Sequence, residues 1–126
     1  MSTVNPAFIE IVQRLPKADL HCHLDGSLRP STLLELSVER GLALPESTAS
    51  ALGAWMRVDD ARHLEDYLAR FEVTLAAMQD AVALERIAHE FVLDAALDGV
   101  RYIEARFCPA LNVRGGLSLD EVMQAV

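Results

Sequence analysis

Two cysteines in 126 residues, Cys22 and Cys108, are too few and too far apart to make a disulfide framework, a zinc ribbon or a C-x-x-C redox pair. A reduced, intracellular setting is the expectation. Basic residues are also scarce: eleven stand against nineteen acidic ones, and a formal charge of −8 repels both the phosphates of nucleic acid and an anionic membrane face. A small neutral or cationic ligand suits that balance better than a nucleic acid or a membrane. No apolar run approaches the ~18 residues of a transmembrane helix. Met1 to Ile11 lacks the basic region and long apolar run of a secretory signal. The expected location is the cytoplasm. Internal repeats, low-complexity tracts and strand–turn–strand hairpin signals are missing too.

What the chain has is apolar content, 52% of its residues, enough to build a core. Asn5-Pro6 opens a short helix that Pro16 stops, and Ala18 to Leu24 then alternates Ala, Leu, Cys, Leu against Asp, His, His, the period of a strand. A turn at Asp25-Gly26-Ser27 leads to a helix from Pro30 to Gly41, and a short helix follows over Thr48 to Met56. Leu64 to Met78 and Ala81 to Leu97 hold helical spacing over lengths that strands do not reach, and Gly99 closes the second. Val100 to Phe107, β-branched and aromatic and closed by Pro109, reads as a second strand. Ser118-x-x-Glu121 has the form of a capping box and starts another helix. Strand, helices, strand, helix start is the order of parallel βα units. A (β/α)₈ barrel needs eight such units and typically ~250 residues. Residues 1–126 therefore read as α/β, the first two strands of a partial barrel with inserted helices, and as the N-terminal part of one domain.

His21 and His23 are two apart on the first strand, so both imidazoles point to one side while Cys22 faces the other. Imidazole pairs suit divalent zinc, iron or nickel, and the carboxyl end of a barrel strand is where such folds keep their sites. A bare His-x-His is equally a pair of surface or core histidines. The preceding strand and the Asp25-Gly26 turn, which brings a carboxylate to the same rim, tilt the reading toward a metal.

With that constellation in place, Pro16-Lys-Ala-Asp-Leu-His-Cys-His-Leu-Asp-Gly-Ser-Leu-Arg-Pro30 closely resembles the opening strand and first loop of the adenosine deaminase family. Leu64 to Phe71, Ala88 to Gly99 and the strand Val-Arg-Tyr-Ile-Glu-Ala-Arg-Phe-Cys-Pro109 are similar to its pocket helix, long helix and second strand, so the resemblance spans nearly the whole chain. It implies that His21 and His23 are two ligands of one Zn²⁺. It further implies that His23 also lies against the substrate and that Asp25 accepts from the ribose 5′-hydroxyl. Related adenine and aminodeoxyfutalosine deaminases tend to carry another residue at Asp25, so the aspartate favours a nucleoside with a free 5′-hydroxyl. The implied reaction is hydrolysis of adenosine, and of 2′-deoxyadenosine, to inosine and ammonia in purine metabolism. The family's general acid–base glutamate, third histidine and aspartate ligand would lie downstream, leaving no catalytic acid–base in this segment. His63 and His89 come too early to match that histidine and read as surface or helix residues. The other deaminase architecture needs both H-x-E and P-C-x-x-C, and it is excluded because P-C-x-x-C does not occur.

Leu64, Tyr67, Leu68 and Phe71 form one apolar helix face, which on its own is ordinary core and by the resemblance is a cover over purine and ribose. On the second strand Tyr102, Glu104 and Arg106 share a side. Burying either charge of the last two alone costs on the order of 3–5 kcal/mol, so a Glu104–Arg106 pair supporting the site floor is expected. The acidic surplus, Asp59 and Asp60 included, reads as solvated helix surface. Two alternatives remain: a barrel of the same kind deaminating adenine or a modified adenine nucleoside, and a truncated, non-catalytic paralogue. The sequence leaves the oligomeric state open.

Overall fold

The computed structural model describes residues 5–57 and 63–126. Asp59 and Asp60 lie outside them, as does the side chain of Leu64. Helix α1, Pro6–Arg14, starts where expected, with the Asn5 side chain accepting from the Ala7 amide at 3.0 Å and proline at the first helical position. Strand β1, Lys17–His23, pairs in parallel with β2, Val100–Arg106. Between them run α2 (Pro30–Arg40), α3 (Ala49–Met56), α4 (Leu64–Ala77) and α5 (Ala81–Leu97), and α6 (Leu119–Ala125) follows. Parallel neighbours need such a crossover because a tight turn only reverses the chain.

The elements end for local reasons. Gly41 takes φ +65° after α2, a left-handed conformation that is cheap for glycine. Gly99, at φ +84°, sits where a Cβ would come within 3.1 Å of the Gln13 carbonyl oxygen and Lys17 Nζ, so it lets α5 turn tightly into β2 beneath α1. The Ser118–Glu121 capping box forms with both reciprocal bonds. A short 3₁₀ turn at Pro109–Asn112 was not expected from the sequence.

One departure touches the site. His21 has φ +64° and the pairing register shifts between Asp19 and Cys22, so β1 is not the regular alternating strand that the pattern predicts. A bulge of this kind re-aims side chains near a strand end.

The core lies among the helices, around Leu33, Leu36, Leu52, Met78, Leu84 and Ile87. The sheet is less covered: Leu20 is 62% and Tyr102 57% exposed. A polar strip joins α2 to α5. Arg29 donates to both carboxylate oxygens of Asp94 at 2.8 and 2.5 Å, Thr32 donates to Glu90 at 2.6 Å, and Arg40 reaches Asp80 at 2.7 Å. Among the described residues, no helix is long and apolar enough to cross a membrane.

Candidate metal and substrate site

Where β1 ends and the 3₁₀ turn Leu24–Gly26 begins, the chain buries Leu24 and Asp25 together and leaves both histidine rings beside them. The ring centroids of His21 and His23 are 5.2 Å apart at an interplanar angle of 43°. A Zn–N bond of about 2.0–2.1 Å and tetrahedral angles put two imidazoles on one ion about 5 Å apart, centroid to centroid, so the pair fits a shared metal despite the bulge. Two donors are half a shell. No cluster of three or more metal-binding side chains occurs among the described residues.

Asp25 is 7% exposed, and its Oδ1 lies 3.6 Å from His23 Nδ1, beyond hydrogen-bond range. That oxygen is buried with no hydrogen-bond partner. An unmet buried acceptor costs about 1–3 kcal/mol, so a donor brought to this oxygen would be held firmly. Cys22 behaves differently. A hydrogen bond to the Asp19 carboxylate, then burial, push its thiol up to about 11, so it stays protonated at neutral pH.

His23 and Asp25 open onto a cavity of about 260 Å³, closed on one side by Tyr67 and Phe71 of α4. Phe71 meets the His23 ring edge-on at 6.1 Å and the Tyr67 ring at 5.1 Å. Gly26 sits beneath Phe71, where a Cβ would be 3.3 Å from the ring. Of the helix face expected to cover the site, Tyr67 and Phe71 line the cavity, while Leu68 is not among its walls and is 52% exposed.

Trp55, Met56, Arg70 and Thr74 also line the cavity and were missed in the sequence. Thr74 extends the Tyr67–Phe71 face by one more step of three, a signal that helical periodicity offered. Trp55 and Met56 gave no such signal, because the packing of α3 on α2 and the contact of Trp55 with Arg70 bring them in. Glu104 and Arg106 are 3.9 Å apart, with side chains 40% and 53% exposed, and Tyr102 donates to Glu104 at 3.0 Å. This group lies on the open face of β2, away from the cavity walls. His63 and His89 are both exposed.

Parallel strands joined by a helical crossover, with a polar cluster at a strand's carboxyl end opening onto a cavity, place the chain among α/β proteins that bind ligands at that end of the sheet. Residues 16–126 match the family described as adenosine deaminase, and the chain belongs to that family. It is 50% identical over 117 residues to an adenosine deaminase of Mycobacteroides abscessus, covering 91% of this chain and 32% of that one. Among solved structures it resembles the N6-methyl-AMP deaminase of Arabidopsis thaliana, at 33% identity and a TM-score of 0.69 over 93% of this chain and 33% of that one. A Burkholderia ambifaria amidohydrolase with bound zinc matches at 27% identity and a TM-score of 0.74, over 98% of this chain and 33% of that one. The chain spans about a third of the length of the curated relatives it matches.

Proposed function

We propose that this chain supplies two metal ligands and the ribose-binding carboxylate of a cytoplasmic enzyme that hydrolyses adenosine, and 2′-deoxyadenosine, to inosine and ammonia in purine metabolism. The carrying observation is the buried Asp25 oxygen without a donor, set beside His23 at the mouth of a cavity with aromatic walls. The identity to curated adenosine deaminases supports the reaction, and the α/β order supports a barrel of which β1 and β2 are the first strands. His21 and His23 would hold the zinc ion; when bound, it supplies a water acidified to a pKa near ~7 for attack on purine C6. His23 also lies against the bound nucleoside. Asp25 accepts from the ribose 5′-hydroxyl, which meets the unsatisfied oxygen and orients the sugar. Tyr67 and Phe71 exclude water from the base, and Leu64 and Leu68 belong to the same helix. The general acid–base glutamate belongs to the part of the enzyme beyond this segment.

The test is loss of adenosine absorbance in the full-length enzyme, with and without a chelator, against a His21→Ala, His23→Ala double variant. Activity in the double variant would falsify the metal role. The Arabidopsis relative's name points to a nucleotide, and a buried carboxylate at the 5′ position repels a phosphate. The expected result is therefore turnover of adenosine and none of AMP. Turnover of adenine, or of a modified adenine nucleoside in preference to adenosine, would move the reading to the first alternative. Inertness toward all of them would move it to a non-catalytic paralogue.

A further inference from the structure

We propose that Arg70 is a positioning residue that sets Trp55 as an aromatic wall of the nucleoside pocket, an inference that rests on the function just proposed. Both residues line the cavity shared with His23 and Asp25. Trp55 lies in the last turn of α3, where backbone carbonyls have no intrahelical donor. Arg70, one turn before Thr74 on α4, supplies one: its Nη1 donates to the Trp55 carbonyl and, at 3.1 Å, to that of Arg57. Its guanidinium carbon also lies 5.2 Å from the centroid of the Trp55 ring, within cation–π range. One planar cation thus fixes both ends of Trp55, its carbonyl and its indole. It does so from the helix that presents Tyr67 and Phe71, so the two aromatic sides of the pocket keep a common spacing.

The geometry needs an arginine. A lysine could donate to both carbonyls from one nitrogen, as Arg70 Nη1 does, but it has no planar guanidinium to lie over the indole at the same time. Glycine or alanine at 70 would leave Trp55 held by packing alone. A base docked against a misplaced wall loses binding in the ground state and transition state alike, which raises KM and spares kcat.

The experiment is steady-state turnover of adenosine by the full-length enzyme and its Arg70→Ala, Arg70→Lys, Trp55→Leu and doubly substituted Arg70→Ala, Trp55→Leu variants. KM is expected to rise about tenfold in Arg70→Ala and in Trp55→Leu, with kcat within about twofold, and to rise by a smaller factor in Arg70→Lys. In the double variant it should rise no further than in either single one, because the two residues act as a unit. A merely structural Arg70 would instead lower the active fraction, and so kcat, at constant KM, and that result overturns the proposal. Additive KM effects overturn it too. Should Arg70→Ala fail to fold, the Arg70→Lys and Trp55→Leu pair carries the same comparison. Trp55 is the segment's single tryptophan, so its emission, taken as the difference from a Trp55→Phe variant, gives a second readout. Adenosine should quench that emission in the wild type and less so in Arg70→Lys. Turnover with unchanged KM in the variants overturns this inference while leaving the proposed function standing. A wild type that neither turns adenosine over nor shows quenching by it overturns both.

Discussion

At the residue scale, Asp25 is where folding and function pull in opposite directions. Its Oδ1 is buried without a hydrogen-bond partner, beside an imidazole that it does not reach. A buried acceptor left unmet destabilises the fold, and such costs concentrate at sites that a ligand completes. Asp25→Ala is therefore expected to raise stability by about 1 kcal/mol in chemical denaturation while lowering kcat/KM for adenosine by about 10- to 100-fold. With 5′-deoxyadenosine, which lacks the donor, wild type and Asp25→Ala should be nearly equal. Equal turnover of adenosine and 5′-deoxyadenosine by the wild type would show that Asp25 does not read the 5′-hydroxyl.

Glycine-115 and Gly116 make a second contrast between neighbouring residues. A Cβ at Gly115 would sit 2.1 Å from the Gln79 carbonyl oxygen, a backbone atom that cannot swing away, whereas at Gly116 it would meet nothing within 4 Å. The Gln79 side chain meanwhile ties this loop to the end of α4, donating to the Leu111 carbonyl and accepting from the Arg114 amide, each at 3.0 Å. Gly115→Ala should therefore break the docking and cost about 2–3 kcal/mol. Gly116→Ala strains only its φ of +101°, at about 1 kcal/mol. Thermal unfolding of the two variants should rank them in that order, and a reversed order would refute the contact.

At the scale of elements, α2 and α5 are held by hydrophobic contact and by the polar strip along their seam. Hydrogen bonding to Arg40 holds Asp80 below its ordinary carboxyl value of 3.8, and hydrogen bonding to Arg29 does the same for Asp94. For Glu90, burial pushes upward, but hydrogen bonds from Thr32 and Arg86 outweigh it and the net direction is down. Each carboxylate takes up its proton more readily when unfolded than when folded. The stability they add is thus present above the ordinary carboxyl range, about pH 4, and is lost as pH falls below it. Arg40→Ala should lower stability at pH 7 by about 0.5–1 kcal/mol, a modest figure because the Asp80 side chain is 44% exposed. The difference from wild type should shrink toward zero in denaturation curves taken at successively lower pH. A difference that persists at pH 2 would mean that Arg40 acts by packing.

These elements also show what the sequence makes legible. Helix starts at Asn5, Thr48 and Ser118, and stops at Gly41 and Gly99, are written in single residues whose caps and φ values are local. The spacing of two suggests that His21 and His23 lie close, as they do, and the turn behind them suggests Asp25, although regular alternation is not what brings the rings together. The left-handed φ of His21 does not follow, because β1 bulges against a partner strand whose paired residues, such as Lys17 and Val100, are far apart in sequence. Trp55 and Arg70 escape for a related reason. Their contact joins the end of one helix to the middle of another, and neither residue type announces that in one dimension.

At the scale of the whole molecule, the distribution of apolar surface is lopsided. The helices share a closed core, while Leu20 and Tyr102 on the strands, Phe8 and Ile11 on α1 and Leu97 on α5 are each more than half exposed. Two parallel strands also offer unpaired edges, and parallel sheets are stable when helices and neighbouring strands cover them. Residues 1–126 expressed by themselves should therefore bind a hydrophobic dye and self-associate with rising concentration in sedimentation or size-exclusion measurements. Tyr102→Lys and Leu20→Lys should weaken that association, since each puts a charge on the open sheet. Apolar helix faces, by contrast, keep their core contacts in any state of assembly, so far-ultraviolet circular dichroism should retain its helical signal throughout. A monomer that unfolds in one sharp, dye-free transition would show instead that these residues make a self-sufficient domain, and the non-catalytic alternative would gain the ground that the barrel reading lost.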